Sequence, residues 1–335
     1  MIPFLLVYSQ DMTESAGIRR AERFAAIDVG SNSVKLSIAV RGTSRRPAVI
    51  ETARIVSQLG QKQASSGELN AESIERTAQA IAEMVEESRA QEVGDIRAIA
   101  TAAAREAGNG DMLRARVRAL CGLELEIISG EREAELAFHA VSSHHIIDNH
   151  RSLVFDTGGG STELVIADGD RILESRSLPL GALRLADKFD ALGRVSDKTQ
   201  TAIRSHVRKI IGKSGLDIGD ARIAVGTGGT CTALALLDIG PLPIPRSGKP
   251  PAILRENHTM SRDTIDELVR WLGKMEVPDR KNSTGLKTRR AEIVVAGACI
   301  VAELMAIFDM EWVAMLDVGL RDGLLMEMMR PIDES

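Results

Sequence analysis

The hydrophobic pattern along the chain alternates between short strand-like runs and longer stretches with helical spacing. After Asn70, apolar positions such as Ile74 and Ile81 recur every three or four residues, which predicts an amphipathic helix. Asn70 is a suitable N-cap, and Gly94 ends the helix. The first half also contains predicted strands at 24–29, 34–40, 47–56, 96–100 and 123–128 and predicted helices at 111–120 and 131–141.

The second half repeats this scheme. It contains predicted strands at 151–156, 164–167 and 171–178, helices around 181–189 and 197–213, a strand, glycine turn and helix at 222–237, a long apolar helix at 291–308, and a strand, turn and final helix at 312–329. Each half therefore opens on antiparallel strands, and the whole pattern is typical of a mixed α/β protein.

Two segments of the chain are internal copies of one another. AIDVGSNSVKLSI (26–38) and VFDTGGGSTELVI (154–166) share the pattern D-x-G-x-x-S-x-x-L-x-I, with Asp28 matching Asp156 and Gly30 matching Gly158. One copy alone would indicate only a tight β-turn. Two copies, each opening one half, predict two similar domains that present glycine hairpins to a shared cleft.

The chemistry of these hairpins suits a phosphate group. Glycine lets the backbone approach a ligand closely, and successive N–H groups form a concavity for an anion. A carboxylate at each strand end would repel phosphate unless a cation lay between them, and Mg²⁺ commonly bridges carboxylates and phosphate oxygens. A third glycine turn, 226–230, precedes a helix and is either another anion site or simply a tight strand–helix connection.

Composition limits the possible functions. The chain has 335 residues, which favours two domains, and its 44% hydrophobic and 27% charged residues are those of a globular protein. A net charge of −5 argues against a nucleic-acid binder but allows local cationic sites for a polyanion. Cys121, Cys231 and Cys299 are widely spaced and predict reduced thiols in a cytoplasmic protein. No run is apolar and long enough to predict a membrane span.

Six motifs in order narrow the prediction. They are ATAAAREAGNG (100–110), LEIISGEREAEL (125–136), FDTGGGSTELVI (155–166), LPLGALRL (178–185), VGTGGT (225–230) and DVGLRDGLL (317–325). Together with the duplicated hairpins they resemble the actin-like ATPase superfamily. Within it, residues 24–330 are most similar to the family of exopolyphosphatases and guanosine pentaphosphate phosphohydrolases.

The resemblance implies roles for individual residues. Glu133 would be the general base that activates water, Glu163 would assist the metal or the water, and Arg105 would hold a phosphate. Asp156, with Asp28 and Glu163, would bind Mg²⁺, or alternatively Mn²⁺. The implied phosphate-binding residues are Ser31, Asn32, Ser33, Gly158, Gly159, Gly160, Ser161, Thr162, Gly228, Gly229 and Thr230.

The resemblance also implies an architecture and an activity. We expect two actin-like, ribonuclease H-like domains, with the first formed by 23–131 plus about 318–332 and the second by 132–317, after a disordered leader at 1–22. The active site would lie in the cleft between them. The expected activity is orthophosphate release from the end of polyphosphate, with hydrolysis of guanosine pentaphosphate as a second activity, in a cytoplasmic homodimer. Because the chain ends soon after DVGLRDGLL, we expect shorter polyphosphates to be favoured.

Two other functions remain open from the sequence. One is a kinase of the same superfamily, and the other is a catalytically silent sensor of nucleotide or polyphosphate.

Three segments have no clear assignment in the sequence. The proline-rich segment 240–255, with Arg246, Lys249 and Arg255, is either a surface loop or a guide for a polyanion, and the basic segment 279–292 either lines the channel or forms an exposed helix entry. The histidines of HAVSSHHIIDNH are predicted to lie at a helix end and in a solvated loop rather than to bind a metal; they are His139, His144, His145 and His150.

Overall fold

The structure of the protein is a computed structural model, and it describes residues 22–42, 46–61, 66–240, 254 and 257–330. The predicted leader, and all of the proline-rich segment except Gly240 and Leu254, lie outside the described residues, as do Arg246, Lys249 and Arg255. None of the helices in the described ranges is long and apolar enough to cross a membrane.

A five-stranded sheet organises the first lobe, lobe I. Its strands are β1 (Arg23–Val29), β2 (Ser33–Arg41), β3 (Pro47–Val56), β4 (Asp95–Ala100) and β5 (Leu125–Ile127), and its helices are α1 (Ala71–Ala90), α2 (Ala102–Arg105) and α3 (Gly110–Cys121). The order is β3-β2-β1-β4-β5, with β1–β3 antiparallel and β4 and β5 parallel to β1. As predicted, the Asn70 side chain caps α1, accepting from the Ser73 N–H at 2.8 Å.

A six-stranded sheet organises the second lobe, lobe II. Its strands are β6 (Arg151–Thr157), β7 (Thr162–Asp168), β8 (Arg171–Leu178), β9 (Ile223–Thr227), β10 (Thr259–Ser261) and β11 (Trp312–Met315). Their order is β10-β11-β9-β6-β7-β8, so the β6–β7–β8 meander and its parallel neighbour β9 repeat the arrangement of β1–β4. Its helices are α5 (Ala182–Lys188), α6 (Asp197–Ser214), α7 (Gly228–Ile239), α8 (Arg262–Gly273), α9 (Val277–Thr284) and α10 (Thr288–Ile307).

Two helices lie where the lobes meet. α4 (Gly130–Ser142) leads from β5 into the second sheet, and α11 (Leu320–Met328) follows β11 and packs back on β1, β2 and α4. A Cβ on Gly323 would lie 2.1 Å from the Leu136 carbonyl oxygen, so only glycine allows α11 to approach α4 this closely. The boundaries predicted for the two domains remain a prediction.

The mixed α/β architecture with two similar sheets is confirmed, and most predicted elements lie within a few residues of their observed bounds. Arg105, which follows the strand predicted at 96–100, ends the short helix α2, an element that the hydrophobic pattern did not predict. Ala102, Ala103 and Ala104 have no β-branched side chain that would favour a strand, and their run is equally compatible with a helical turn.

Candidate active site

The turn between β1 and β2 forms the lobe I side of the site. The Gly30 N–H donates to the Ser33 carbonyl oxygen at 3.1 Å and closes the turn. Asp28 and Lys35 are directly opposite in the β1–β2 register, and their side chains form an ion pair of 3.2 Å. Lobe I therefore presents a closed turn whose carboxylate is already balanced by a cation.

The turn between β6 and β7 has the same backbone but a different charge. Gly158 N–H donates to the Ser161 carbonyl oxygen at 3.0 Å, the counterpart of the Gly30 bond. The position opposite Asp156, which matches Lys35 in the first copy, is Glu163. Two buried carboxylates thus face one another across the strand pair in lobe II.

Helix α5 supports the lobe II turn. The N–H groups of Ala182 and Leu183 donate to the carbonyl oxygens of Gly158 and Gly159, each at 3.0 Å. A Cβ on Gly181 would lie 2.1 Å from the Gly159 carbonyl oxygen, so this close approach requires glycine. The glycine turn is therefore held from behind by α5.

The two turns meet between the lobes. A Cβ on Gly160 would lie 2.4 Å from Ser31 Oγ, and one on Gly159 would lie 3.6 Å from Ser31 Cβ and 3.7 Å from Asn32 Cβ. Ser31, Ser33 and Ser161 are buried at this junction, as is Thr162. The sequence predicted that both hairpins face one cleft, and the structure brings them together there.

The third glycine turn joins the same site. β9 ends at Thr227 and α7 begins at Gly228, whose φ of +83° favours glycine. A Cβ there would lie 2.0 Å from Asp156 Oδ1, so the start of α7 packs directly against this carboxylate. Gly229 lies in the first turn of α7 and Thr230 is buried in it.

Glu133 reaches the site from the first turn of α4. Ser129 caps this helix by accepting from the Arg132 N–H, and Glu133 is only 5% exposed. Arg105 Nη1 donates to Glu133 Oε2 at 2.8 Å, and Arg105 Nη2 donates to Ser177 Oγ at 3.3 Å. Ser177 Oγ in turn donates to Glu163 Oε1 at 2.8 Å. Glu133 and Glu163 are thus joined through Arg105 and Ser177.

Burial makes these carboxylates unusually basic. It raises the pKa of Glu133 to about 7, although the bonded Arg105 lowers it and Asp156 and Asp28 raise it further. Burial also raises the pKa of Asp156 to about 6, against the lowering effect of Lys35. The pKa of Glu163 lies well above its usual range because of burial and the nearby Glu133 and Asp156. Such shifted groups around one cleft are typical of a catalytic site.

Several cations lie beside the buried carboxylates Glu133, Asp156 and Glu163, which we call the acidic cluster. Arg54 on β3 lies directly opposite Lys35 in the β2–β3 register, and like charges in this position destabilise a sheet. Arg321 on α11 donates to the Leu36 carbonyl oxygen and to Ser37 Oγ, both at 2.8 Å. Burial and then the charge of Arg321 lower the pKa of Arg54.

The fourth cation of the row, Arg290, lies against the third glycine turn. A Cβ on Gly229 would lie 2.4 Å from Arg290 Nη2. Burial and the charge of Arg54 lower the pKa of Arg290 to about 10, and the described part of the chain contains no carboxylate paired with it. We call Lys35, Arg54, Arg290 and Arg321 the cationic row.

The basic segment 279–292 was predicted either to line the channel or to form an exposed helix entry, and its residues differ in this respect. Arg290 faces the cleft, whereas Lys281 and Lys287 are exposed. Arg280 has a third role, because it is fully buried and donates to the carbonyl oxygens of Leu272 at 2.8 Å and Ala291 at 3.0 Å.

Sequence reasoning missed Ser177 and Arg184. Ser177 lies opposite Glu163 in the β7–β8 register, so a register prediction would have found it. Arg184 Nε donates to the Gly160 carbonyl oxygen at 2.7 Å, and its Nη2 pairs with Glu106, which follows α2 in lobe I. Arg184 therefore connects the lobe II turn to the opposite lobe; it lies within the LPLGALRL motif, which was the available signal.

The carboxylates of the site could bind a divalent metal together with phosphate oxygens and waters. Within the described ranges, no three His, Cys, Asp or Glu side chains form a preassembled metal cage. Mg²⁺ is usually bound by one or two carboxylates, with phosphate oxygens and waters completing the shell. The buried Asp156 and Glu163, which have no ion pair of their own among the described residues, fit that mode of binding.

Comparison with known proteins places the chain in a family. The profile of the Ppx/GppA phosphatase family matches residues 21–331. Exopolyphosphatase 1 of Mycobacterium leprae is 28% identical over 312 residues, covering 91% of this chain and 88% of that protein. Exopolyphosphatase 2 of Mycobacterium tuberculosis is 29% identical over 296 residues, covering 84% of this chain and 89% of that protein.

Solved structures agree with this placement. The crystal structure of the Aquifex aeolicus Ppx/GppA family member is 28% identical, with a TM-score of 0.76 over 94% of this chain and 100% of that one. An exopolyphosphatase from Cytophaga hutchinsonii shares the fold, with a TM-score of 0.80 at 23% identity over 92% of this chain and 97% of that one. The chain described here belongs to the Ppx/GppA phosphatase family.

Proposed function

We propose that this protein is an exopolyphosphatase that releases orthophosphate from the end of inorganic polyphosphate. The observation that carries the proposal is the buried acidic cluster between two glycine turns, with the cationic row beside it. The backbone amides of the turns and the nearby cations can bind a chain of phosphates. A general base and a pair of carboxylates can support hydrolysis of its terminal phosphoanhydride bond. Several relatives are named exopolyphosphatases, which supports the same substrate class.

The substrate would lie across the cleft. Backbone amides of the turns near Ser31 and Gly160 would receive the terminal phosphoryl group. The cationic row would bind phosphates further along the chain and offset their charge. A bound polyanion would also offset the like charges of Lys35 and Arg54, which lie opposite one another on β2 and β3.

Glu133 would act as the general base. Its pKa of about 7 makes the carboxylate basic enough to take a proton and still substantially ionised at neutral pH. A water in line with the terminal phosphorus would lose a proton to Glu133 as its oxygen bonds to that phosphorus. The bridging P–O bond then breaks, and the shortened polyphosphate leaves with the electron pair. Arg105 would orient the carboxylate through its 2.8 Å bond and stabilise the phosphoryl oxygens.

Magnesium, or manganese in its place, would be held by Asp156 with support from Glu163. Asp28, the third residue expected to bind the metal, is paired with Lys35 and would leave the metal to Asp156 and Glu163. When bound, the ion would neutralise negative charge on the phosphoryl oxygens. The chain itself keeps Asp156 buried and fixed against the start of α7.

Three finer features also belong to this proposal. We propose that short polyphosphates are better substrates than long ones, that guanosine pentaphosphate is hydrolysed to the tetraphosphate in the same cleft, and that the protein works as a homodimer. Each of these features can be wrong without affecting the main proposal, because orthophosphate release from polyphosphate requires none of them.

Orthophosphate release tests the proposal directly. The purified chain would be incubated with polyphosphates of defined length and with guanosine pentaphosphate, each with Mg²⁺, with Mn²⁺ and with EDTA. We expect metal-dependent release of orthophosphate from polyphosphate, faster from short chains. No release from any polyphosphate would refute the proposal. Phosphorylation of an added sugar or acetate by ATP would support a kinase instead.

A further inference from the structure

Ser177 lies where the three proposed catalytic side chains meet. It is on β8, directly opposite Glu163 on β7. Its Oγ is 3.3 Å from Arg105 Nη2 and 2.8 Å from Glu163 Oε1. Arg105 bonds Glu133 through its other terminal nitrogen, at 2.8 Å. One hydroxyl therefore connects Glu163 with the arginine that would orient the general base.

The chemistry of the partners sets the direction of these two hydrogen bonds. A guanidinium can only donate, so the hydroxyl oxygen of Ser177 accepts from Arg105. The hydroxyl hydrogen is then available to Glu163 Oε1, which accepts it. Hydrogen bonds to a charged partner are stronger than those between neutral groups. Ser177 thus supplies a donor to a carboxylate that is only 2% exposed.

The hydroxyl joins Arg105 and Glu163 without an ion pair between them. Arg105 forms its ion pair with Glu133, and in the part of the chain that the structure describes Glu163 has none. Because Ser177 lies between the two groups, Glu163 is held in place while the arginine stays with Glu133. The negative charge of Glu163 therefore remains beside Asp156, where the proposed function requires it.

The start of α4 also packs on Ser177. A Cβ added to Gly130, the first residue of α4, would lie 2.3 Å from Ser177 Cβ and 2.8 Å from its Oγ. The helix therefore approaches β8 at this serine as closely as glycine allows. Glu133 follows three residues later, less than one turn along α4. The position of Ser177 thus affects Glu133 through contact with its helix as well as through Arg105.

We propose that Ser177 is a positioning residue for phosphoanhydride hydrolysis, and that its hydroxyl holds Arg105 and Glu163 in the relative geometry that turnover requires. Ser177 acts through these two side chains and not by binding the substrate. The arginine comes from lobe I and the carboxylate from lobe II, so this one hydroxyl aligns groups from both lobes. The inference rests on the proposed function, since it assigns Ser177 to that reaction.

Ser177→Ala tests the proposal, because it removes one oxygen and keeps the Cβ that contacts α4. Arg105 then loses an acceptor and Glu163 a donor, so kcat for orthophosphate release from tripolyphosphate should fall about 10- to 100-fold. KM should change less than about twofold, because the cationic row is untouched. The matched control is Ser175→Ala, two residues earlier on the same face of β8 and opposite Val165, whose side chain forms no hydrogen bond. It should keep wild-type kcat.

A double-mutant cycle separates this role from a general structural one. If Ser177 acts through Arg105, then Ser177→Ala should lower kcat less in an Arg105→Ala background than in the wild-type chain. Effects that simply multiply would mean that the two residues act independently, and the proposal would be overturned.

Hydrogen exchange of the two serine variants gives a readout that does not depend on turnover. We expect faster exchange in peptides covering 101–106 and 129–134 in Ser177→Ala, and wild-type exchange there in Ser175→Ala. Unchanged exchange in Ser177→Ala, wild-type kcat, or a change in KM in place of kcat would each overturn the proposal. These results would leave the proposed function intact as long as the wild-type chain releases orthophosphate. If the wild-type chain releases none, the proposed function fails and the role of Ser177 fails with it.

Discussion

The two copies of the glycine hairpin have the same backbone and opposite electrostatics. Both turns close with the same N–H to carbonyl bond, at 3.1 Å in lobe I and 3.0 Å in lobe II. At the matched position across the strand pair, Asp28 faces Lys35 whereas Asp156 faces Glu163. One copy is a neutral pair and the other is a pair of buried acids.

This difference suggests a division of labour between the lobes. The neutral copy can receive phosphate oxygens without repelling them, because the Asp28 charge is already offset by Lys35. The acidic copy carries uncompensated negative charge that a metal cation would balance, and its neighbours are Glu133 and the start of α7. Under the proposed function, the same turn would support binding in lobe I and chemistry in lobe II. Four experiments test whether the two lobes differ in this way.

The largest effect is expected from Glu133→Gln, which removes the proposed general base beside the acidic copy. Without a proton acceptor, kcat should fall about 10²–10⁴-fold, the usual contribution of a general base, while KM changes little. Steady-state orthophosphate release measures both constants. The matched control is Glu135→Gln on the same helix, whose carboxylate is 3.3 Å from Arg132 at the surface. Near wild-type turnover in Glu133→Gln would contradict both the proposed general base and the assignment of chemistry to lobe II.

The second experiment makes the neutral copy acidic. Lys35→Glu would recreate the Asp156–Glu163 arrangement in lobe I and interrupt the cationic row. We expect KM for polyphosphate to rise about 10- to 100-fold, which corresponds to about 1.4–2.7 kcal/mol of binding. Lys35→Arg keeps the charge and serves as the control. If kcat falls while KM is unchanged, lobe I takes part in chemistry and the proposed division fails.

The third experiment measures how kcat/KM depends on pH. A base works only when deprotonated, and burial raises the pKa of Glu133 to about 7. Therefore kcat/KM should rise with pH up to about 7 and fall about tenfold per unit below it, since this constant reports ionisation of the free enzyme. A pH series of initial rates, with the buffer varied at constant ionic strength, measures this limb. Its persistence in Glu133→Gln would assign it to another group.

The local parts of this site could be predicted from the sequence. The D-x-G-x-x-S repeat lies within about ten residues, so its strands and turn form from neighbours in the chain. Alignment of the two copies also places Lys35 of the first copy against Glu163 of the second, so the contrast in charge is present in the sequence itself. The consequence of that contrast depends on burial, which the pattern alone does not fix.

The remaining parts depend on contacts between distant segments. Arg321 reaches the Leu36 carbonyl oxygen across 285 positions, and Arg105 reaches Ser177 across 72. Glu133 is at a position in a helix where glutamate is usually exposed. Its burial follows from the packing of α4 on β8, where a Cβ on Gly130 would lie 2.3 Å from Ser177 Cβ. Such contacts follow from how the lobes pack and not from local periodicity.

The smallest expected effect concerns stability and tests the comparison without any substrate. Burial raises the pKa of Asp156 from 3.8 to about 6 in the folded protein. A carboxyl with a raised folded pKa stabilises the fold at low pH, and this contribution is lost as pH rises through that folded value. At pH 8 the ionised Asp156 therefore costs about 2–3 kcal/mol, and Asp156→Asn should raise Tm by a few degrees.

The matched change in the other copy should act in the opposite direction. Asp28→Asn removes the 3.2 Å ion pair and leaves Lys35 with an uncompensated charge beside Arg54, so Tm should stay the same or fall. Thermal unfolding of both variants at pH 8 and pH 5, without metal or phosphate, makes the comparison. The gain from Asp156→Asn should shrink at pH 5, because the native carboxyl is then mostly protonated. If both variants shift Tm alike at both pH values, the two copies do not differ electrostatically in the folded protein, and the proposed division between binding and chemistry loses its physical basis.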